Sequence, residues 1–318
     1  MSALLLGALL AGVAQPLTLE PFSGLGPRGL EVGCMRMTSG ATVSGGAGFG
    51  GYSGIDLDRD DGKLTLLSDR AHLVIADIAL GPDGAIRGIG SAMQYEIDRP
   101  RGARGRSDTE GLARYGGDWL VSREKDHDAI RVSLAGGTAR ELGQLVDLAP
   151  LGPFESNGSL EAVADIGGGR YLFIPESGDA RNLRPILLWF GAAPRRVAFY
   201  QGTDKFDVTD MTADPDNDRL FVLERAFSRR LGPRARLTVL PLSEVLEAAP
   251  GDVLLPEELG RLTFFEGADN MEGIDAFVAE DGSRNLVLVS DDNFNDIQRT
   301  VLMTLRLEDG CALPTAKP

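Results

Sequence analysis

Histidine is scarce in this chain: of 318 residues only His72 and His127 are histidines. A histidine-rich zinc site and histidine-based phosphatase chemistry therefore lack their side chains. A serine-triad site lacks its motif. In Gly51-Tyr52-Ser53-Gly54-Ile55 the second glycine comes one place early, and no strand-to-helix elbow follows. Base is also in deficit, with 32 Lys and Arg against 47 Asp and Glu and a formal charge of −15. Proteins that grip phosphate backbones carry a basic face, so nucleic acid is not expected as a partner.

Long apolar runs are missing apart from one at the start. Residues 1–14 (MSALLLGALLAGVA) are too few to span a bilayer but suit a signal-peptide core, and Gly12 and Ala14 suit cleavage. No Lys or Arg precedes Arg28, so a buried N-terminal segment is the competing reading. The expectation is a signal peptide over 1–14 and a single domain over 15–318. The mature chain is then periplasmic or secreted, has no transmembrane segment and is monomeric. Gly46, Gly48 and Gly51 satisfy GxGxxG, but no helix pattern follows, so a dinucleotide site fails and an entry loop remains.

What the chain does have is a repeat. One phrase, an acidic or small polar residue and then a small one leading into a strand, occurs as Tyr52-Ser53-Gly54-Ile55, Thr109-Glu110-Gly111-Leu112, Leu160-Glu161-Ala162-Val163, Thr209-Asp210-Met211-Thr212 and Asn270-Met271-Glu272-Gly273-Ile274. Aligning Ser53, Glu110, Glu161, Asp210 and Glu272 gives intervals of 57, 51, 49 and 62 residues, close to the length of propeller blades. A second phrase follows each time, an apolar run ending in an acid: Asp69, Glu124, Glu176, Glu224 and Asp291. Turn-rich pieces such as Asp58-Arg59-Asp60-Asp61-Gly62 and Glu280-Asp281-Gly282 separate the phrases and read as hairpins. The fold expected is an all-β propeller of five repeats of about 50 residues. Five blades are favoured over six, with the strand around Leu30 to Met37 closing a last unit that otherwise has three strands. That closure brings Cys34 near Cys311, as a disulfide in an exported protein or as two free thiols.

In a propeller the innermost strands line the axis, so acids at one repeat position converge there. Glu110, Glu161, Asp210 and Glu272 form a partial ring, with Asp69, Glu124, Glu176, Glu224 and Asp291 as neighbours. Clustered carboxylates repel unless neutralised, and hard oxygen ligands in number favour Ca²⁺. The alternative is that these acids brace neighbouring repeats. Asp56, Asp58, Asp60 and Gly62 imitate a calcium loop, but the glycine is one place late and the twelfth position is Leu67, so a hairpin turn is expected. The basic run Arg99 to Arg106 is either a solvated loop or a source of guanidinium groups near the channel mouth. One short helix is expected at Leu242 to Glu247 with a serine cap.

Asn270-Met271-Glu272-Gly273-Ile274, Leu223-Glu224-Arg225-Ala226-Phe227-Ser228 and Leu288-Val289-Ser290-Asp291-Asp292-Asn293-Phe294-Asn295 with Gln298 closely resemble the phytase-like family, described as having esterase-like activity of phytase. The resemblance covers about residues 50 to 308, with the phrases in the family's order. It implies a β-propeller-like domain, export, and phosphoester hydrolysis by repeated Glu and Asp residues. The positions it implies are Asp69, Glu110, Glu161, Glu224, Glu272, Asp291, Asp292 and Asn293, while Ser53, Asp210 and Ala162 depart from the pattern.

The resulting expectation is a calcium-dependent hydrolase of small-molecule phosphoesters. Glu110, Glu272 and Asp291 are catalytic. Asp69, Glu110, Glu161, Glu224, Glu272 and Asp291 hold metal. Arg70, Arg123, Arg225, Asp292 and Asn293 bind substrate. The alternatives are a non-catalytic propeller that binds a ligand or protein partner, or a carboxylic ester or lactone hydrolase.

Overall fold

The computed structural model describes residues 12–22, 29–99, 108–152, 160–203 and 205–311. Most of the expected leader and most of the basic run after Arg99 lie outside these residues. Strands β1 (Val13–Gln15), β2 (Thr18–Pro21), β3 (Leu30–Val32) and β4 (Met35–Ser44) come first. Five antiparallel runs follow. The first is β5 (Tyr52–Asp58), β6 (Lys63–Ser68), β7 (His72–Leu80) and β8 (Ile86–Asp98). The second is β9 (Thr109–Tyr115), β10 (Asp118–Arg123), β11 (Asp128–Ala135) and β12 (Thr138–Asp147). The third is β13 (Ala162–Asp165), β14 (Tyr171–Ile174), β15 (Leu183–Trp189) and β16 (Arg195–Gln201). The fourth is β17 (Asp207–Asp214), β18 (Arg219–Ser228), β19 (Gly232–Pro241) and β21 (Glu257–Thr263). Between its last two strands lie helix α1 (Leu242–Glu247) and β20 (Val253–Leu254), which crosses to pair parallel with β16 of the third run. The last is β22 (Asn270–Val278), β23 (Arg284–Asp291) and β24 (Val301–Leu307).

The chain is all-β and propeller-like. The first strands of the runs lie side by side in a closed ring, β5 against β9, β9 against β13, β13 against β17, β17 against β22 and β22 against β5. Apolar side chains fill the spaces between successive runs. Leu67 and Leu73 meet Val121 and Ile130, Ala129 meets Phe173 and Leu187, and Ile174 and Ile186 meet Val222 and Leu240. Phe221 and Leu237 meet Leu288 and Met303, and Val287 and Val289 return to Leu64 and Leu66 of the first run. The core is thus a set of interfaces around an axis, which is why the middle strands read as unbroken apolar runs rather than as alternation.

The last run is completed from the other end of the chain. β4 pairs antiparallel with β24, from Val301 against Thr42 to Leu307 against Met35. The closing strand begins later than the sequence suggested, because the chain turns at Gly33, whose φ of 62° favours glycine, and β3 folds back on β4. The turn puts Cys34 beside Cys311 in a disulfide with Cα atoms 5.1 Å apart. Strand β1 starts at Val13, inside the segment expected to be removed, and pairs with β8. Helix α1 forms at the expected residues, but its cap is not its own serine. Ser243 lies inside it, and the Asp218 carboxylate accepts from the Ser243 amide at 2.6 Å and from its hydroxyl at 2.7 Å. The Asp58 to Lys63 segment is a hairpin turn, with Asp61 N–H donating to the Asp58 carboxylate.

Candidate functional site

Four of the five first strands lose register with their neighbour near their start, and this irregularity aims the site; β13 pairs with β14 in unbroken register just after Glu161. Tyr52 faces Ser68 but Gly54 faces Leu67, so Ser53 is the extra residue. Met271 faces Ser290 but Gly273 faces Val289, so Glu272 is extra. In the second run the break falls between the Thr109–Arg123 and Leu112–Val121 pairs and holds Glu110 and Gly111. A bulge of this kind re-aims a side chain that regular pleating would send elsewhere.

In the fourth run the extra residue is Thr209, since Val208 faces Glu224 and Asp210 faces Leu223. The sequence alignment, which matched acid to acid, is therefore off by one here. Two hydroxyl bonds agree with the corrected register. Ser53 Oγ donates to the Thr109 carbonyl at 2.8 Å, and Thr209 Oγ1 donates to the Met271 carbonyl at 3.2 Å, each to the residue just before a ring glutamate. The first tier is thus Ser53, Glu110, Glu161, Thr209 and Glu272. The same one-residue shift on β18 puts Arg225, not Glu224, level with Asp69, Glu124, Glu176 and Asp291. A slip of one residue exchanges the two faces of a strand.

Glu224 is correspondingly turned into the fourth run. It is fully buried, ion-paired with Arg236, and accepts from the Tyr200 hydroxyl at 3.0 Å. Arg123 is likewise taken up within its own run by Asp128, with bonds of 2.8 and 2.6 Å. Asp210 occupies the position that is glycine in Gly54, Gly111 and Gly273, and it accepts from the Met211 amide at 2.8 Å and the Ile274 amide at 2.9 Å. It braces the fourth run against the fifth. The glycines serve the same interface. A Cβ on Gly111 would lie 2.4 Å from the Glu161 carbonyl, and one on Gly273 would lie 3.1 Å from an Ile55 methyl, so they admit the neighbouring strand rather than a ligand.

Arg225 is the cation within the two tiers. It donates to Glu176 Oε1 at 3.1 Å, to Glu272 Oε1 at 2.8 Å and to Asn270 Oδ1 at 2.6 Å, while Asn270 Nδ2 donates to Glu272 Oε1 at 2.7 Å. Burial, followed by Glu272 and other acids for Glu110 and by Glu176 and other acids for Glu161, pushes both carboxyls well above the usual carboxylate range. Glu272 is raised to about 8 by burial despite Arg225, and Asp291 to about 7 by burial with Asp69 and Asp292 nearby. Two trios bring carboxylate oxygens within 4.8 Å of one another, Asp108 with Glu110 and Glu124, and Glu124 with Glu161 and Glu176. A donor set of hard oxygens suits Ca²⁺, and burial with mutual repulsion disfavours the charged form of these carboxyls.

Asp69 stands beside this cluster, and a Cβ on Gly51 would lie 2.6 Å from its carboxylate. Arg70 stacks with its guanidinium carbon 3.4 Å from the centre of the Phe294 ring. Asp292 is occupied in shaping the loop, accepting from the amides of Gly51 and Phe294 and from Thr300 Oγ1. Asn293 donates its amide to Asp291 at 2.6 Å and its side chain to Gln298 at 3.2 Å. Arg70, Asp69 and Asp108, together with Glu96, Arg99 and Lys125, line a 690 Å³ recess beside the ring.

The opposite end of the axis carries residues that the sequence did not bring together as a site. Ile55, Asp56, Arg114, Asp165, Thr212 and Asp275 help line a cavity of 160 Å³. Asp275 ties three runs together by accepting from the Leu57 amide at 2.8 Å and from Thr212 Oγ1 at 3.1 Å. Asp56 is held by Arg114 at 2.7 Å and by the Trp119 indole at 3.3 Å. Their signal was present, because Asp56, Thr212 and Asp275 each lie three residues past a first-tier position.

No curated protein matches the chain. Among solved structures it is similar to an endo-arabinase from Bacteroides thetaiotaomicron, at 12% identity and TM-score 0.49, over 81% of this chain and 94% of that one. It is also similar to a PQQ-bound aldose sugar dehydrogenase from Streptomyces coelicolor, at 12% identity and TM-score 0.45, over 92% and 98%. A chain of a nidogen/laminin complex gives 12% identity and TM-score 0.43 over 93% and 99%. The sequence itself is more informative: the model of a family described as "Phytase-like: Esterase-like activity of phytase" matches residues 47–294, which hold the first and second tiers alike. With most of its length and the whole ring inside that match, the chain belongs to the phytase-like family.

Proposed function

We propose that the chain is an exported, calcium-dependent hydrolase of small-molecule phosphoesters, built as a monomeric five-bladed propeller whose two-tier ring is the active site. The five runs with their closed ring of first strands support the blade count. The disulfide agrees with export. The observation that carries the reading is the convergence of Asp69, Glu110, Glu124, Glu161, Glu176, Glu272 and Asp291 at one end of the axis, with Arg225 paired to Glu176 and Glu272.

Glu110, Glu124, Glu161 and Glu176, with Asp108 at the edge and Glu272 beside Glu110 and Glu161, would hold the cation. Bound Ca²⁺ supplies charge neutralisation to the phosphate and to its own ligands. Glu272 and Asp291, with affinities for the proton near neutrality, suit the transfer of a proton from water and back to the leaving oxygen. Arg225 is held in place by Glu176 and Asn270 and offers its guanidinium to a phosphate oxygen, while Arg70 stands at the rim of the recess. Asp292 and Asn293 act through the loop they shape.

The test is a panel of phosphomonoesters, phosphodiesters and carboxylic esters, offered to metal-stripped protein with and without Ca²⁺. Calcium-dependent turnover of a phosphoester is expected. Turnover of carboxylic esters alone would move the reading to an esterase or lactonase. Turnover of none would leave a propeller that binds a ligand at its mouth.

A further inference from the structure

The face that carries the ring mouth also carries several exposed large apolar side chains, among them the two most exposed of the described residues, Ile297 and Phe265. Phe227 is 73% exposed at the end of β18, two residues beyond Arg225, and Leu231 follows in the β18–β19 turn. Phe265, 92% exposed, sits with Phe264 in the short turn that leads into β22, and Ile297, 93% exposed, lies on the loop that leaves β23 just past Asp291. These are neighbouring tips. A Cβ on Gly232 would lie 3.8 Å from Phe264, and the Arg299 guanidinium lies 5.9 Å from the Phe264 ring, two residues beyond Ile297.

Charge at these tips runs against the rest of the molecule. The chain has a formal charge of −15, yet the β18–β19 turn offers Arg229 and Arg230, both exposed and without an ion pair among the described residues. Arg234 follows on β19. Arg261 and Arg299 add cationic groups already paired with Glu258 and Asp269, and Asp296 is the acid beside Ile297. Isolated aromatic and aliphatic tips on separate loops do not form a groove for a peptide or helix. They suit a soft surface, into which each tip enters singly while arginines meet anionic headgroups.

We infer that this rim, formed by Phe227, Leu231, Phe264, Phe265 and Ile297 with Arg229 and Arg230, docks the protein on an anionic lipid surface with the ring mouth facing the bilayer. The occupant is the lipid surface itself. The inference does not depend on catalysis, since it rests on exposure and charge outside the ring.

The test is flotation of the full chain with vesicles of phosphatidylcholine alone or mixed with phosphatidylglycerol, in chelator so that calcium cannot bridge acidic groups to lipid. Co-flotation is expected with phosphatidylglycerol vesicles, weakening as salt rises. Arg229→Glu with Arg230→Glu should reduce it by at least tenfold, at roughly fivefold per cation removed from an anionic surface. Phe265→Ser with Ile297→Ser should reduce it on any vesicle it binds. A pair of changes at the far end of the axis, Val278→Ser and Glu280→Gln, should leave flotation unchanged, and melting curves of all variants report folding. Absence of flotation with phosphatidylglycerol vesicles at low salt would overturn the proposal, as would flotation insensitive to both sets of rim changes. Self-association of the parent chain that the rim changes abolish, without flotation, would assign the patch to a protein contact and equally overturn it.

Discussion

Glu224 and Glu272 are both buried glutamates that meet an arginine, yet replacing them by Gln should act in opposite ways. Arg236 is almost wholly buried and has Glu224 as its close counter-charge, so Glu224→Gln leaves a buried cation with only the more exposed Glu258, 3.9 Å away. The expected loss is about 3–5 kcal/mol in stability, with calcium affinity unchanged. Arg225 keeps Glu176 and Asn270 when Glu272 changes, and Glu272 itself is a carboxylate that burial disfavours. Glu272→Gln should leave the metal-free protein as stable or more so, while calcium affinity and hydrolysis fall sharply. Denaturant melts and calcium titrations of the two variants beside the parent decide it. A destabilised Glu272→Gln with undiminished calcium binding would make that residue a brace.

At the scale of the strand, the sequence already showed where each run begins, because apolar middle strands and glycine-rich turns follow from burial on both faces and from tight hairpins. It showed Glu110, Glu161 and Glu272 for the same reason. It misled at the fourth run, where the letters Asp210 and Glu224 match the pattern but the bulge falls on Thr209 and moves Arg225 to the axis. A bulge adds one residue without changing composition, so counting along the chain cannot locate it. The hydroxyl shared by Ser53 and Thr209 was the available clue. The closing strand was readable because the last run was one strand short. Its junction gives a further prediction: Cys34→Ser with Cys311→Ser removes a link spanning 277 residues and should lower stability by about 2–5 kcal/mol. Melts under oxidising conditions check this, and a parent chain whose stability does not respond to reductant would contradict it.

Over the whole molecule, stability and pH are coupled through the ring. Glu272 at about 8 and Asp291 at about 7 stand above ordinary carboxyl values of about 4. The folded state therefore keeps protons that the unfolded chain has released. Their contribution is fully present below about pH 4 and is lost as pH rises through 7 to 8. Metal-free protein should melt at progressively lower temperature between pH 5 and 8, and millimolar-scale calcium should flatten that slope by binding the folded state alone. Matching melting curves at pH 8 with chelator and with calcium would count against a calcium site of useful affinity.

The borrowed fourth strand of the last run also fixes an order of events. β4 leaves the ribosome early, but its partner β24 is made more than 250 residues later. Until then β4 carries an unpaired edge, a template that other chains could copy. Joining it to β24 closes a loop through nearly the entire sequence, the slowest kind of contact to form. β4 is thus made long before it is used, and its open edge is a liability for the whole of that interval.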